Sequence, residues 1–165
     1  MACSWLKSIA PEGAERLGCM GSGLRSLVEG LEGRRLLSAS LEGSTLNVVG
    51  TNEADNILVM ASGTGEIVVN VNGVESRFSG VESIKINGGN GADSIFAAID
   101  AGSGLLRLVE VSGDNAGDTV SGYNSDADVT LRLSGGNGDD VILYDQTGYN
   151  TTTDGGRGDD VITTL

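Results

Sequence analysis

The chain has 165 residues and a net charge of −13, with no histidine and 27 glycines. That acidity argues against nucleic-acid binding, which needs a basic face. The missing histidine removes the commonest general base and zinc ligand. No stretch approaches the ~18 apolar residues of a membrane-spanning helix. The two cysteines, Cys3 and Cys19, lie close to the N-terminus, where they cannot form a disulfide framework for the rest of the chain.

Residues 1–40 differ in character from the rest of the chain. They hold five basic and four acidic residues, whereas residues 41–165 hold five basic and nineteen acidic, a net of −14. Leu24, Leu27, Val28 and Leu31 fall at i, i+3, i+4 and i+7, one face of a helix that Gly30 and Gly33 weaken. No secretory apolar core is visible. The run Leu31-Glu-Gly-Arg-Arg-Leu-Leu-Ser-Ala39 resembles the Leu-Glu-Pro-Arg-x-Leu-Leu leader of large bacterial surface and exported proteins, with Gly33 in place of its proline. Residues 1–40 are therefore expected to be a leader or targeting segment, weakly helical or disordered.

From Leu41 onward the pattern turns to short strands rich in β-branched residues and bounded by Gly, Asn or Ser. They begin at Leu46, Asn56, Glu66, Ser83, Leu106 and Val129. Ile67, Val69 and Val71 alternate with their neighbours, as do Val129, Leu131 and Leu133, so each strand buries one face.

A repeat runs through this region. Gly50, Gly88, Gly113, Gly135 and Gly155 are each followed five residues later by an aspartate: Asp55, Asp93, Asp118, Asp140 and Asp160. Two further on stands Ile57, Ile95, Val120, Ile142 or Ile162. Four and two residues before the glycine come Leu46/Val48, Ile84/Ile86, Val109/Val111, Leu131/Leu133 and Thr151/Thr153. Strand, turn and strand in fixed register predict stacked coils, with 41–165 forming an all-β, parallel β-solenoid of about six coils. At ~4.8 Å between strands, stacked aspartates repel by roughly 3 kcal/mol at an effective dielectric of ~20. Arg157 is the one basic residue in the turns. A hard divalent cation would relieve the repulsion, since calcium takes about 6–8 oxygens from carboxylates and backbone carbonyls. From residue 86 onward there are twelve Asp and one Glu, Glu110, a bias that fits turns and ion ligation.

Three copies are sharp: Gly88-Gly-Asn-Gly-Ala-Asp93-Ser-Ile-Phe96, Gly135-Gly-Asn-Gly-Asp-Asp140-Val-Ile-Leu143 and Gly155-Gly-Arg-Gly-Asp-Asp160-Val-Ile-Thr163. They match the Gly-Gly-x-Gly-x-Asp-x-aliphatic-x nonapeptide and so resemble the RTX, or haemolysin-type, calcium-binding repeats. The resemblance implies a β-roll on a secreted bacterial protein, extracellular or at the cell surface, with calcium held between turns. Asp93, Asp118, Asp140 and Asp160 are then the carboxylate ligands. Gly88, Asn90, Gly135, Asn137 and Gly155 supply turn geometry and carbonyls, with Arg157 at the corresponding place in the last copy. The copy starting at Gly113 is degenerate, and the copy starting at Gly50 keeps only the frame. The family usually runs its nonapeptides in tandem, whereas these glycines stand 38, 25, 22 and 20 residues apart. Calcium is therefore expected on one edge only, best between the turns of Asp140 and Asp160, next between Asp118 and Asp140. The 38-residue gap leaves room for an unmarked coil, and Asp55 is not among the expected ligands.

The function expected is a non-catalytic, calcium-binding structural or adhesive module that calcium helps to fold. Two alternatives stand beside it. Asn-Gly and Asp-Gly are also ordinary turn residues, so a metal-free solenoid could dock edge to edge with itself or with a surface partner. An uncapped sheet edge is expected after Ile162. A polysaccharide-acting β-helix enzyme would need a base and a cation in one cleft, but its candidates Lys85, Arg107 and Tyr144 are scattered along the chain.

Overall fold

The computed structural model describes residues 38–145 and 149–165. Over these the protein is all-β, with thirteen strands and, among the described residues, no helix. The helical stripe from Leu24 to Leu31, Cys3, Cys19 and most of the leader motif lie outside the described residues. Strand β1 (Ser38–Glu42) begins inside the segment assigned to the leader, so strand structure starts three residues before the expected boundary.

The chain passes back and forth between two sheets. One contains β1, β2 (Thr45–Val49), β6 (Ser83–Asn90), β8 (Leu108–Asn115), β10 (Thr130–Asn137) and β12 (Thr151–Arg157), paired in that order. The other runs from β13 (Val161–Thr164) through β11 (Val141–Tyr144), β9 (Thr119–Asn124), β7 (Ser94–Ile99) and β3 (Asn56–Ala61) to β4 (Glu66–Val71) and β5 (Val74–Ser79). Strands β2, β6, β8, β10 and β12 pair parallel, as do β3, β7, β9, β11 and β13. Each glycine–aspartate motif joins a strand of the first sheet to one of the second.

From the second motif onward the pairing register is the one expected from the repeat, and the first motif pairs directly with the second. Leu46, Ile84, Val109, Leu131 and Thr151 stand side by side in the first sheet. Ile57, Ile95, Val120, Ile142 and Ile162 do so in the second. Alternation drives this, because a one-residue slip would turn every core side chain to solvent. The inward rows of both sheets meet in one core, and most of these Leu, Ile and Val side chains are fully buried. Each contributes about 1.5–3 kcal/mol relative to exposure. The row through Val59, Ala97 and Gly122 shrinks along the stack. At Gly122 a Cβ would meet Leu131 and Leu133 across the core at 2.9 Å, so the glycine leaves room for those leucines.

Two expectations need correction. The sheets are mixed rather than wholly parallel: β1 pairs antiparallel with β2, β3 with β4, and β4 with β5. There are also five stacked levels, not about six. The 38 residues between the first two motifs hold a β-meander in place of an unmarked coil. The reason is turn chemistry. Asn72 and Gly73 sit at φ +50° and +87° between β4 and β5, the two-residue Asn-Gly turn that favours a hairpin. Gly65, at φ +76°, closes the turn before β4 by donating its N–H to the Ser62 carbonyl at 3.0 Å.

Candidate functional site

The five motif turns stack along one edge, and their aspartates form a ladder. The Asp55 N–H donates to Asp93 Oδ1 at 2.8 Å, Asp93 N–H to Asp118 Oδ1 at 2.8 Å, and Asp118 N–H to Asp140 Oδ1 at 2.8 Å. Asp140 N–H donates to Asp160 Oδ1 at 3.0 Å. The next strand locks each step, as when Thr119 N–H donates to the Asp93 carbonyl at 2.8 Å. The carboxylates of Asp93, Asp118, Asp140 and Asp160 therefore each tie their own turn to the one before it.

The second oxygen of each carboxylate separates the turns into two kinds. In the first turn Asp55 Oδ2 accepts from the Thr51 N–H at 2.5 Å and the Thr51 hydroxyl at 3.0 Å. Its Oδ1 accepts from the Asn72 side-chain amide at 2.7 Å. In the next three turns the Oδ2 atoms of Asp93, Asp118 and Asp140 are buried and have no hydrogen-bond partner. These residues are only 3%, 1% and 1% exposed, so bulk solvent does not reach the missing-donor side. Burial, as the largest cause, pushes the Asp93 carboxyl up, and the Asp118 carboxyl up to about 6. The N–H reaching each Oδ1 works against that shift, and the neighbouring carboxylates add to it. Asp160, in the last turn, is only half-buried.

The leading glycines are there because the carboxylates fold back on them. A Cβ at Gly88, Gly113, Gly135 or Gly155 would collide with Oδ2 of the aspartate five residues on. At Gly88 it would also lie 2.7 Å from the Gly113 carbonyl, and at Gly113 2.5 Å from the Gly135 carbonyl, both in the following turn. The degenerate third copy follows the same path with the wrong residues. Asp114 and Ala116 take φ +75° and +90°, conformations that cost of order 1–3 kcal/mol each. Register with the neighbouring turns overrides local preference there.

A second ladder runs along the solvent side of the same turns. The Asn90 amide donates to Asn52 Oδ1 at 2.8 Å, Asn115 to Asn90 at 3.0 Å, and Asn137 to Asn115 at 3.0 Å. Asn90 and Asn137, expected to contribute carbonyls, thus also hold the stack through their side chains. The carbonyls of Asn137 and Arg157 accept backbone N–H groups from Ala116 and Gly138 at 2.8 and 2.7 Å. Each keeps a second lone pair.

The asparagine ladder was readable in the third motif position, which holds Asn52, Asn90, Asn115, Asn137 and then Arg157, but it was not anticipated. Nor was Asp126, which is buried at another turn. It accepts from Gly102 N–H, Ser103 N–H and the Ser103 hydroxyl at 3.0, 2.9 and 2.9 Å, and from Asp128 N–H at 3.0 Å. The N–H donors of Asp128 and Ser103 hold its carboxyl below the usual range. Lys85, Arg107 and Tyr144 are not brought together. Lys85 lies on the outer face of the first sheet, 4.0 Å from Glu110, Arg107 caps the Leu106 carbonyl, and Tyr144 packs against the core.

A divalent cation fits what the three middle turns lack, namely a positive partner for buried, unpaired carboxylate oxygens. Among the described residues no three His, Cys, Asp or Glu side chains cluster closely enough to hold a metal ion by themselves. Such an ion would have to draw on backbone carbonyls as well, as calcium does. Comparison with protein-family models, curated proteins and solved structures finds no match for this chain.

Proposed function

We propose that this chain is a calcium-binding, non-catalytic structural or adhesive module of an exported or cell-surface protein, built as a β-solenoid of five coils. The observation that carries the reading is the line of three buried, unpartnered oxygens, Oδ2 of Asp93, Asp118 and Asp140. Calcium between successive turns would compensate their charge. Asp93, Asp118, Asp140 and Asp160 would be the carboxylate ligands, and carbonyls of the glycine turns would complete the shell. The resemblance of the three sharp motifs to RTX repeats supports the same ion, and the leader-like segment supports the location.

A metal-free solenoid is the second reading. It is favoured by the Asp55 turn, whose carboxylate is fully hydrogen-bonded by protein groups, and by the asparagine ladder, which stacks the turns with no ion. Calcium titration by isothermal calorimetry on the chelated chain, with far-UV circular dichroism on the same sample, separates the two. Saturable binding that Asp140→Ala abolishes, with a gain of β signal, is the expected result. No heat and no spectral change at millimolar calcium would sink the calcium reading and leave the metal-free one.

A further inference from the structure

The outer face of the first sheet carries a groove of about 520 Å³ across β6, β8, β10 and β12, within the ~300–1,000 Å³ of small-molecule sites. Two cross-strand rows of outward side chains line it. Lys85, Glu110 and Arg132 stand in register as one row, and Asn87, Ser112, Ser134 and Asp154 as the other. Ion pairs hold the first row: Arg132 donates to one Glu110 oxygen at 3.0 Å, and Lys85 lies 4.0 Å from the other. Arg132 thus uses one of its five N–H donors there. In the second row the Ser112 hydroxyl donates to Asp114 Oδ1 at 2.5 Å and keeps its lone pairs to accept. Among the described residues, the side chains of Lys85, Asn87 and Ser134 hydrogen-bond to no protein group, so their polar atoms are presented to the groove.

We propose that this groove binds an extended, uncharged glycan chain lying across the strands. The lining disfavours the other common occupants. It holds no aromatic side chain on which a base could stack. Its outward side chains are all polar, so a lipid or an apolar peptide buries nothing there. Strands β6, β8 and β10 are each paired on both sides, which leaves no strand edge inside the groove for a peptide to extend. Lys85 and Arg132 cancel Glu110 and Asp154, within a chain of −13. A polyanion is therefore repelled by the surroundings, and a polycation is drawn to the acidic turns instead. A hydroxyl-rich ligand matches what the lining offers. Hydroxyls donate and accept, as Ser and Asn side chains do, and a neighbouring pair of them suits the two-pronged guanidinium and carboxylate groups. Spacing agrees. Both rows repeat at the ~4.8 Å strand separation, close to the rise of one pyranose unit in an extended β-linked chain. Four strands span on the order of 15 Å, room for about three such units. The site specifies what the adhesive reading adheres to, and it does not rest on calcium.

The test is titration of the isotope-labelled full chain with cello-, manno- and xylo-oligosaccharides and with oligogalacturonate of the same length, followed by amide NMR shifts, in calcium and in chelator. The expected result is saturable binding of at least one uncharged oligosaccharide, with shifts centred on β6, β8 and β10. Added salt should leave it unchanged, because no net charge is neutralised. Arg132→Ala should weaken it about tenfold and Asn87→Ala severalfold, with circular dichroism unchanged. Arg77→Ala, which breaks exposed ion pairs outside the groove, should have no effect. No shift with any uncharged oligosaccharide at millimolar concentration would overturn the proposal. So would binding of oligogalacturonate alone that salt abolishes, since the two cations would then act only as an anion site. Sugar binding that needs calcium and is indifferent to Arg132→Ala would also overturn it, by placing the sugar at the aspartate turns. Sugar binding in chelator, with no response to calcium, would sink the calcium reading and keep this one.

Discussion

Replacing Asp118 by asparagine should stabilise the protein in chelator and weaken its response to calcium. The amide keeps Oδ1, so the Asp93 N–H retains its acceptor. What disappears is a charge whose other oxygen is buried and unpaired. Burial moves this carboxyl from 3.8 to about 6, and at 1.36 kcal/mol per unit the ionised form is disfavoured by about 3 kcal/mol as an upper bound. The new NH2 group needs an acceptor of its own and takes back roughly 1 kcal/mol. A net gain of about 1–2 kcal/mol at pH 7 is expected, a rise in Tm of several degrees for a unit of this size. Calcium at about 100 times its Kd should stabilise the wild type by about 2.7 kcal/mol, and the variant clearly less. Asp118→Ala is the control, because it removes Oδ1 too and strands a buried N–H, costing about 1–3 kcal/mol. Thermal unfolding followed by circular dichroism, in chelator and in excess calcium, reads all four quantities. If Asp118→Asn loses as much stability as Asp118→Ala in chelator, and calcium shifts neither the wild type nor the variant, the carboxylate is not under-compensated and the reasoning fails.

Three further outcomes can be measured on the same instrument. Gly113→Ala should cost about 3 kcal/mol or more, on the order of other overpacking changes, because its Cβ would meet Asp118 Oδ2 and the Gly135 carbonyl. Gly80→Ala, at φ +71° with nothing nearby, should cost only the roughly 1–2 kcal/mol of left-handed backbone, and equal losses would refute the stacking argument. Asn72→Ala removes the donor to Asp55 Oδ1 and the acceptor of the Asn56 N–H at 2.8 Å. It should cost about 2 kcal/mol, and more than Asn115→Ala in the exposed ladder. In chelator the raised Asp93 and Asp118 carboxyls bind protons more readily when folded. For Asp118 that contribution is fully present below about pH 3.8 and lost as pH rises through about 6, and Asp93 acts with the same sign. The Tm should therefore be higher at pH 5 than at pH 7.5. Asp126 has the opposite sign, since its depressed carboxyl contributes above the ordinary range and the contribution is lost in stronger acid. A flat or rising profile from pH 5 to 7.5 in chelator would contradict the assignment.

The cross-strand register was legible because it rests on two periodicities that reinforce each other. Side chains alternate every two residues, and the glycine-to-aspartate frame fixes where each strand begins, so Ile84 next to Val109 and Ile95 next to Val120 could be read directly. What escaped was information carried by single residues outside the frame. Asn72-Gly73 is a hairpin signal two residues long, and the regular strand of Ile67, Val69 and Val71 drew it into a sixth coil. The aspartate column was legible as a column, but the hydrogen bonding of each carboxylate was not. Spacing shows that Asp93 lies beside Asp118, and it does not show that one oxygen of each takes the neighbouring N–H while the other is left without a donor.

That division of labour explains why the five turns differ. The first four share the same backbone step from aspartate N–H to the next carboxylate. Only the first places a hydroxyl-bearing residue directly after the leading glycine. Thr51 there supplies both its N–H and its hydroxyl to Asp55 Oδ2, and Asn72 arrives from the inserted hairpin to occupy Oδ1. The equivalent positions in the sharp repeats are Gly89, Gly136 and Gly156, all at positive φ against a carbonyl of the preceding turn. No side chain fits there, so no hydroxyl can reach the carboxylate. At the remaining turn the position is Asp114, which adds a further negative charge and helps to raise the Asp118 carboxyl. The glycines that let the turns stack closely thus also remove the donors that would have satisfied their aspartates. At Asp93, Asp118 and Asp140 the second oxygen is thus left without a protein donor, and that is the gap the proposed calcium would fill.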